Sequence, residues 1–226
     1  MTTVAKEGLS DNCISPLAVV EGPHPVHFSI GCVVHPFAVI VAQRGPIDFG
    51  VYCIVEEHAC IINGERGGED AATAAPPAVP MSIGPYNHFK PFSHIANVQR
   101  IGHGNRFEAH CQVGGPRGES PQATTVEDYS VVGPFVRLWD LRRDDGPNSA
   151  LAVTIPSRRV YLCPTDTEEG KTCECSALAL LSPTPVRSCC SCFGCWVLPR
   201  GEPFDEEETD EAMRQKSSRL RVSGAR

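Results

Sequence analysis

The sequence predicts an all-β protein, a single-stranded left-handed parallel β-helix followed by an irregular or partly helical C-terminal tail. Three observations predict this fold. An apolar residue recurs at every sixth position within successive runs that extend to Leu138, a glycine or small residue stands at a fixed distance from it, and two glycine- and proline-rich segments leave the period. Neither an α-helix nor an ordinary strand has a period of six.

The six-residue period is unbroken in the middle of the chain, where its apolar positions are Ile83, Phe89, Ile95, Ile101, Phe107 and Val113. Further runs with the same spacing are Ile14, Val20 and Val26, then Val34 and Ile40, then Phe49, Val55 and Ile61, and finally Val126, Val132 and Leu138. Self-similarity at a fixed period is typical of a solenoid. We therefore expect these side chains to form the rows of one continuous core.

Small residues occupy the positions at which such a solenoid turns. Glycine directly follows the apolar residue at Gly31, Gly50, Gly84, Gly102, Gly114 and Gly133. A small or polar residue stands four positions after it at Ala18, Ala38, Cys53, Ala59, Ser93, Cys111 and Ser130. The pattern predicts a triangular coil in which each six-residue unit is one short strand plus a corner.

The period also predicts which residues stack, because three units make one coil of about 18 residues. The expected pairs are Ile83 with Ile101, Phe89 with Phe107, Ile95 with Val113, His88 with Arg106, and His94 with Gln112. Asn87 and Asn105 fall at one corner in the same register. There we expect left-handed backbone and a ladder of side-chain hydrogen bonds.

Composition shifts divide the chain into three parts. Residues 1–11 precede the repeat, residues 12–162 contain it, and residues 163–226 form a cysteine-rich segment and a charged tail that we expect to be disordered. Within the repeat, residues 64–80 and 115–125 cannot continue a coil and are expected to be excursions from corners. The stretch from Glu206 to Leu220 fits a solvated helix and a disordered tail equally well.

Charge and cysteine usage limit the partners. The net charge of −7 with intermixed acidic and basic residues argues against nucleic acid, and no apolar run is long enough for membrane insertion. Of 12 cysteines, five are scattered singly through apolar patterns. That placement indicates small buried hydrophobic residues in a reducing compartment rather than a disulfide framework.

Two enzyme classes share the hexapeptide pattern and remain alternatives, the gamma-class carbonic anhydrases and the hexapeptide acyltransferases. A zinc site would need three converging imidazoles. Gly102-His103 suggests one, but Glu108 stands five residues after His103, and His110 lies on a different face. No histidine carries a mark of an acyltransferase base, and His35, His58, His88 and His94 are interpreted as outward or corner residues of the coil. We therefore nominate no catalytic residue and no cofactor.

The cysteine-rich segment offers a separate candidate for metal. Closely spaced thiolates can supply a tetrahedral zinc site. The candidate ligands are Cys173, Cys175, Cys192 and Cys195, although only the last two have the spacing of a zinc knuckle.

Three blocks resemble one particular family of hexapeptide proteins. They are Gly45-Pro-Ile47, the run from Phe49-Gly50 through Val55-Glu-Glu-His-Ala-Cys-Ile-Ile-Asn63, and Ser82-Ile-Gly-Pro-Tyr-Asn87. They resemble the dynactin subunit 6 family, whose fold is the trimeric LpxA-like β-helix. The resemblance covers residues 14–114 well and residues 126–160 more loosely.

This resemblance implies a non-catalytic structural and adaptor subunit of the dynactin pointed-end complex, in the cytoplasm and on the cytoskeleton. Its expected partners are dynactin subunit 5, other pointed-end subunits including the actin-related protein, and, indirectly, dynein in microtubule-based movement and cargo attachment. The chain departs from the family after Val160, where the cysteine-rich segment and charged tail replace a short amphipathic C-terminal helix.

Overall fold

The computed structural model describes residues 11–64, 78–114, 124–138, 153–155, 157–162, 173–174, 196–199 and 206–224. They form a left-handed parallel β-helix and one α-helix. Successive short strands lie in turn on three parallel sheets, called A, B and C here. The fold class predicted from the period is therefore confirmed. No helix in this described part is long and apolar enough to cross a membrane.

The strands are two to four residues long, and from β1 to β20 every third strand returns to the same sheet. Sheet A contains β1 (Cys13–Ile14), β4 (Val33–Val34), β7 (Ile54–Val55), β10 (His88–Phe89), β13 (Arg106–Phe107), β16 (Val131–Val132), β19 (Arg159–Leu162) and β21 (Trp196–Pro199). Sheet B contains β2 (Val19–Glu21), β5 (Val39–Ala42), β8 (Cys60–Asn63), β11 (His94–Ala96), β14 (Gln112–Val113), β17 (Val136–Leu138) and β20 (Cys173–Glu174). Sheet C contains β3 (Val26–Phe28), β6 (Ile47–Phe49), β9 (Met81–Ile83), β12 (Val98–Ile101), β15 (Thr124–Val126) and β18 (Val153–Ile155).

The predicted stacking register is confirmed. Ile83 pairs with Ile101, Phe89 with Phe107, and Ile95 with Val113. The outward pairs His88 with Arg106 and His94 with Gln112 are also adjacent in their ladders. Residues 18 positions apart in this run thus form vertical rows of side chains in space.

The inward rows form one continuous core. Phe89 and Phe107 are completely buried, and their rings stack with centroids 5.0 Å apart. Burying one such aliphatic or aromatic side chain contributes about 1.5–3 kcal/mol. Three of the scattered cysteines, Cys32, Cys53 and Cys111, are buried in this core, as expected for small hydrophobic residues.

An asparagine ladder forms at the corner between sheets C and A. Asn87 Nδ2 donates to the carbonyl oxygens of Gly84 and Gly102, at 2.7 Å each, and Asn87 Oδ1 accepts from the backbone N–H of Asn105 at 2.9 Å. The expected left-handed backbone lies one residue earlier, however, at Tyr86 (φ 57°). The asparagines satisfy buried backbone groups, while their neighbours make the turn.

Three long insertions connect sheet B to sheet C. Residues 65–77, 115–123 and 139–152 each connect a strand of sheet B to the next strand of sheet C. These stretches lie outside the described residues, and so do most of the two predicted excursions, 64–80 and 115–125. The other two corners therefore run along the coil from β1 to β16 without interruption.

Further elements follow residue 162. β20 adds a parallel strand to sheet B, and β21 pairs antiparallel with β19 at the end of sheet A. The helix α1 spans Glu206–Gly224. Of the two states that the sequence left open for Glu206 to Leu220, the structure therefore has the helix. The remainder of the tail lies outside the described residues.

Candidate functional site

The outward rows of the three sheets have different chemistry. On sheet C the outward side chains are polar, with Asp48 and Arg100 exposed to solvent. On sheet A the corresponding row includes Val33 and Ile54, which are only 3% and 0% exposed. An outward apolar pair on a sheet is buried only if another element covers it. That element is α1.

One side of α1 packs on sheet A. Met213, which is 9% exposed, belongs to a cluster with Val33, Ile54 and Tyr86. One turn later, Ser217 is completely buried, and its Oγ donates to the carbonyl oxygen of Gly31 at 2.7 Å. Residues four apart share a helix face, so these two contacts fix which side of α1 meets the coil.

A charged cluster links the middle of α1 to the coil. Lys216 Nζ donates to Glu56 Oε1 at 2.7 Å, and His88 Nε2 lies 2.5 Å from the same oxygen and 2.9 Å from Lys216 Nζ. Burial alone would raise the pKa of Glu56, but the hydrogen bonds from His88 and Lys216 lower it to about 2. Burial lowers the pKa of His88, and the hydrogen bond to Glu56 only partly opposes that shift. At neutral pH Glu56 is therefore a carboxylate and His88 a neutral imidazole.

Two further polar contacts hold the N-terminal half of α1. His103 Nε2 lies 2.9 Å from both carboxylate oxygens of Asp210, and Arg214 Nε donates to the Tyr86 hydroxyl at 2.8 Å. His103 also contacts the rings of Tyr86 and Tyr129, which stand above and below it at the corner between sheets C and A. The charged tail thus supplies a docked helix, although its sequence shows no apolar stripe.

These contacts correct the interpretation of one histidine. His88 is 5% exposed, because α1 covers it, and is not a surface residue of the coil. His58 is exposed and His94 and His35 are half-buried, as expected for outward or corner residues. His103, the residue that suggested a zinc site in the sequence, lies within hydrogen-bond distance of the Asp210 carboxylate instead. The described residues contain no group of three or more His, Cys, Asp or Glu placed to hold a metal ion.

The structure describes one of the four cysteine candidates for zinc. Cys173 lies in β20, where its backbone pairs with Val136. Cys175, Cys192 and Cys195 lie outside the described residues. The zinc interpretation of these four cysteines stays a prediction.

An exposed column of rings runs along the corner between sheets A and B. This aromatic strip consists of Phe37, His58, Phe92, His110 and Phe135. Successive ring centroids are 5.4, 4.9, 4.9 and 5.1 Å apart, with planes within 12° of parallel. All five residues have left-handed backbone, with φ between 57° and 61°. The sequence analysis missed this strip, although each ring stands three residues after an inward apolar residue.

Among the described residues, the N-terminal end of the coil is incompletely covered. Val26 is completely buried, but four other inward residues of the first coil, Ile14, Ala18, Val20 and Phe28, are only partly buried, whereas Val34, Ile40 and Phe49 in the next coil are at most 2% exposed. β1, β2 and β3 are the outermost strands of their sheets, so each presents one edge that pairs with no other described strand. Ile30 beside them is 56% exposed.

Comparison with known proteins gives two similar sequences. Dynactin subunit 6 of Caenorhabditis elegans is 38% identical over 81 residues, which are 36% of this chain and 38% of that protein. Dynactin subunit 6 of Nematostella vectensis is 38% identical over 111 residues, which are 44% of this chain and 59% of that protein. The chain thus spans about two fifths and three fifths of the length of these relatives. No protein-family model matches it.

Comparison with solved structures gives matches with low scores. A hexapeptide transferase family protein from Anaplasma phagocytophilum gives a TM-score of 0.45 at 9% identity, covering 95% of this chain and 91% of that one. LpxA from Acinetobacter baumannii gives a TM-score of 0.19 at 12% identity, covering 67% of this chain and 69% of that one. The fold assignment rests on the strand pairing described above rather than on these scores. The resemblance deduced from the hexapeptide blocks is confirmed at the level of sequence, and the chain is similar to dynactin subunit 6 over part of its length.

Proposed function

We propose that this chain is a non-catalytic structural subunit of a dynactin complex in the cytoplasm and on the cytoskeleton. It would join the pointed-end assembly beside dynactin subunit 5 and the actin-related protein, and so act indirectly in dynein-driven movement. Sequence similarity to dynactin subunit 6 supports the choice of complex. One structural observation supports the docking role, and it is the open N-terminal end of the coil.

Unpaired strand edges and a partly exposed core favour association with another protein. Buried or semi-buried backbone groups need hydrogen-bond partners, and terminal repeats of a solenoid need a cap. The opposite end of sheet A has such a cover, because β21 pairs antiparallel with β19. At the N-terminal end, β1, β2 and β3 have no such cover among the described residues.

The unpaired edges of β1, β2 and β3 together belong to all three sheets of the coil. A second protein surface that meets all three sheet edges would complete the core. The end face of another subunit with a similar coil has the required shape.

Affinity purification of the tagged full chain from its own cytoplasm, followed by mass spectrometry, tests this function. We expect dynactin subunits to co-purify with the natural chain. Ile30→Lys places a charge on the open end and should abolish their recovery, because a charge there would be desolvated on docking. Ser82→Lys is the matched control, since Ser82 is exposed on sheet C.

Two results would contradict the proposal. One is a natural chain that recovers no dynactin subunit. The other is a homotrimer with bound zinc or coenzyme A, which is the assembly expected of the carbonic anhydrase or acyltransferase alternatives.

A further inference from the structure

The aromatic strip on the corner between sheets A and B is exposed to a degree that its surroundings do not explain. Among the described residues, large hydrophobic side chains are exposed at six positions, and four of these lie along this one corner. They are Phe37 (51%), Phe92 (50%), Phe135 (53%) and, one coil below the strip, Leu17 (57%). Neither α1 nor the open coil end accounts for this column.

The rings of the strip are stacked so that their faces cover each other and their outer edges meet solvent. Fully burying a phenylalanine removes about 150–250 Å² from water, so half-exposed rings leave roughly 100 Å² each. Three such rings, separated by two imidazole rings, present roughly 300 Å² of apolar surface along one corner, a size that is often functional on a monomer. A standard interface takes about 800 Å² from each partner, and the strip supplies the apolar centre of such an area.

The vertical spacing of the rings limits the type of partner. The centroid spacings of 4.9–5.4 Å are close to the strand-to-strand distance of a sheet, which is about 4.7–4.9 Å. A strand running along the strip would repeat its side chains on one face every ~6.6–6.8 Å and would lose register over five rings. An α-helix, with a pitch of about 5.4 Å, and a second β-coil lying alongside both keep register, and the symmetric order of the rings favours the coil.

The order of the rings selects which coil. From Phe37 to Phe135 the strip reads Phe, His, Phe, His, Phe, and this order is the same from either end. A two-fold axis at the level of Phe92 therefore places phenylalanine opposite phenylalanine and histidine opposite histidine. A surface that is self-complementary under a two-fold axis is what a closed homodimer requires.

We propose that a second copy of this chain docks side by side and antiparallel on the aromatic strip, forming a closed homodimer. This goes beyond the proposed function, because the strip lies along the side of the coil and leaves the open end free. The closed symmetry ends assembly at two copies.

Light scattering coupled to size-exclusion chromatography tests the dimer on the full chain. We expect the natural chain to have twice the monomer mass of 24.4 kDa. The triple variant Phe37→Asn, Phe92→Asn and Phe135→Asn keeps residues that tolerate left-handed backbone but removes the rings. Its dimer dissociation constant should rise at least about tenfold, as expected when buried aromatic anchors are lost. Ile30→Asn, an exposed apolar residue off the strip, should leave the dimer unchanged.

A photo-crosslinker locates the contact without relying on the triple variant, which could fail to fold. Benzoylphenylalanine at position 92, in a mixture of isotopically light and heavy chains, should give light–heavy crosslinks to the strip of the second copy. The same probe at position 82 on sheet C should give none. A monomeric or trimeric natural chain, an undiminished dimer in a folded triple variant, or crosslinks from position 92 only to other surfaces would overturn the proposal.

The two proposals fail separately. If the natural chain co-purifies with dynactin subunits but is not a homodimer, only the proposal about the aromatic strip is refuted. If the natural chain is a homodimer but recovers no dynactin subunit, only the proposed function is refuted.

Discussion

Replacing Asn87 by alanine should be among the most destabilising single changes in the coil. The side chain is fully buried and makes three strong contacts, donating to the carbonyls of Gly84 and Gly102 and accepting from the N–H of Asn105. Alanine offers none of these. The Asn105 N–H would then have no acceptor inside the protein, because the gap left by the side chain is too small for a water molecule.

The size of the loss in unfolding free energy depends on which buried polar groups lose their hydrogen-bond partner. Leaving one buried donor or acceptor unsatisfied costs about 1–3 kcal/mol. The Gly84 carbonyl keeps the Cys53 thiol as a donor at 3.2 Å, so its loss is smaller. The Asn105 N–H and the Gly102 carbonyl bear most of the penalty. We expect Asn87→Ala to lower the free energy of unfolding by about 3–4 kcal/mol.

Urea denaturation followed by circular dichroism measures this loss, with Ser82→Ala as the control because Ser82 is exposed on the neighbouring strand of the same coil. The midpoint should fall markedly for Asn87→Ala, with little change in the slope, whereas the control should stay within about 0.5 kcal/mol of the natural chain. A folded Asn87→Ala chain that unfolds at the same midpoint as the control would refute the reasoning. The side-chain ladder would then contribute nothing net to the coil.

Three further outcomes are expected. Gly84→Ala should cost about 1–3 kcal/mol in urea denaturation, because a Cβ there would lie 2.6 Å from the Gly102 carbonyl oxygen; an unchanged midpoint would contradict this. Since burial lowers the pKa of His88 under α1, release of α1 takes up a proton, so docking should weaken as pH falls below about 6.5, the ordinary value of histidine. Hydrogen exchange of residues 206–224, corrected for the intrinsic pH dependence, should quicken accordingly, and equal protection at pH 5 and 7.5 would argue against it. Burial also raises the pKa of the Cys111 thiol, so iodoacetamide should spare Cys111 in the native protein while modifying half-buried Cys60, and equal labelling would be the opposing result.

The coil could be predicted in detail because one rule repeats. In the run from Ile83 to Val113 each inward residue is six positions from the next, so the pairing of Phe89 with Phe107 follows from counting alone. The position of the left-handed residue was wrong for a physical reason. The intrinsic backbone preference favours asparagine in the left-handed conformation. Tyr86 takes that conformation instead, because its ring stacks on Tyr52 and its hydroxyl accepts a hydrogen bond from Arg214.

The docking of α1 could not be predicted in this way. Its contacts join residues 107 to 186 positions apart, such as Asp210 with His103 and Ser217 with Gly31. The buried side of the helix contains a methionine and a serine among charged residues, so no hydrophobic period marks it. The charged residues of α1 find complementary partners only on the folded coil, where Glu56 and His88 lie within hydrogen-bond distance of Lys216. The aromatic strip, by contrast, has a signal that counting can find, one ring three residues after each inward apolar residue.

The connection of sheet B to sheet C by three long insertions has a practical consequence. Because each insertion begins after a strand of one sheet and ends before a strand of the next, its length does not alter which residues stack above which. That corner can therefore tolerate added sequence, such as a fluorescent or affinity tag between residues 65 and 77, without shifting the rows of the core. The aromatic strip lies at another corner and α1 packs on sheet A, so both stay available for measurement.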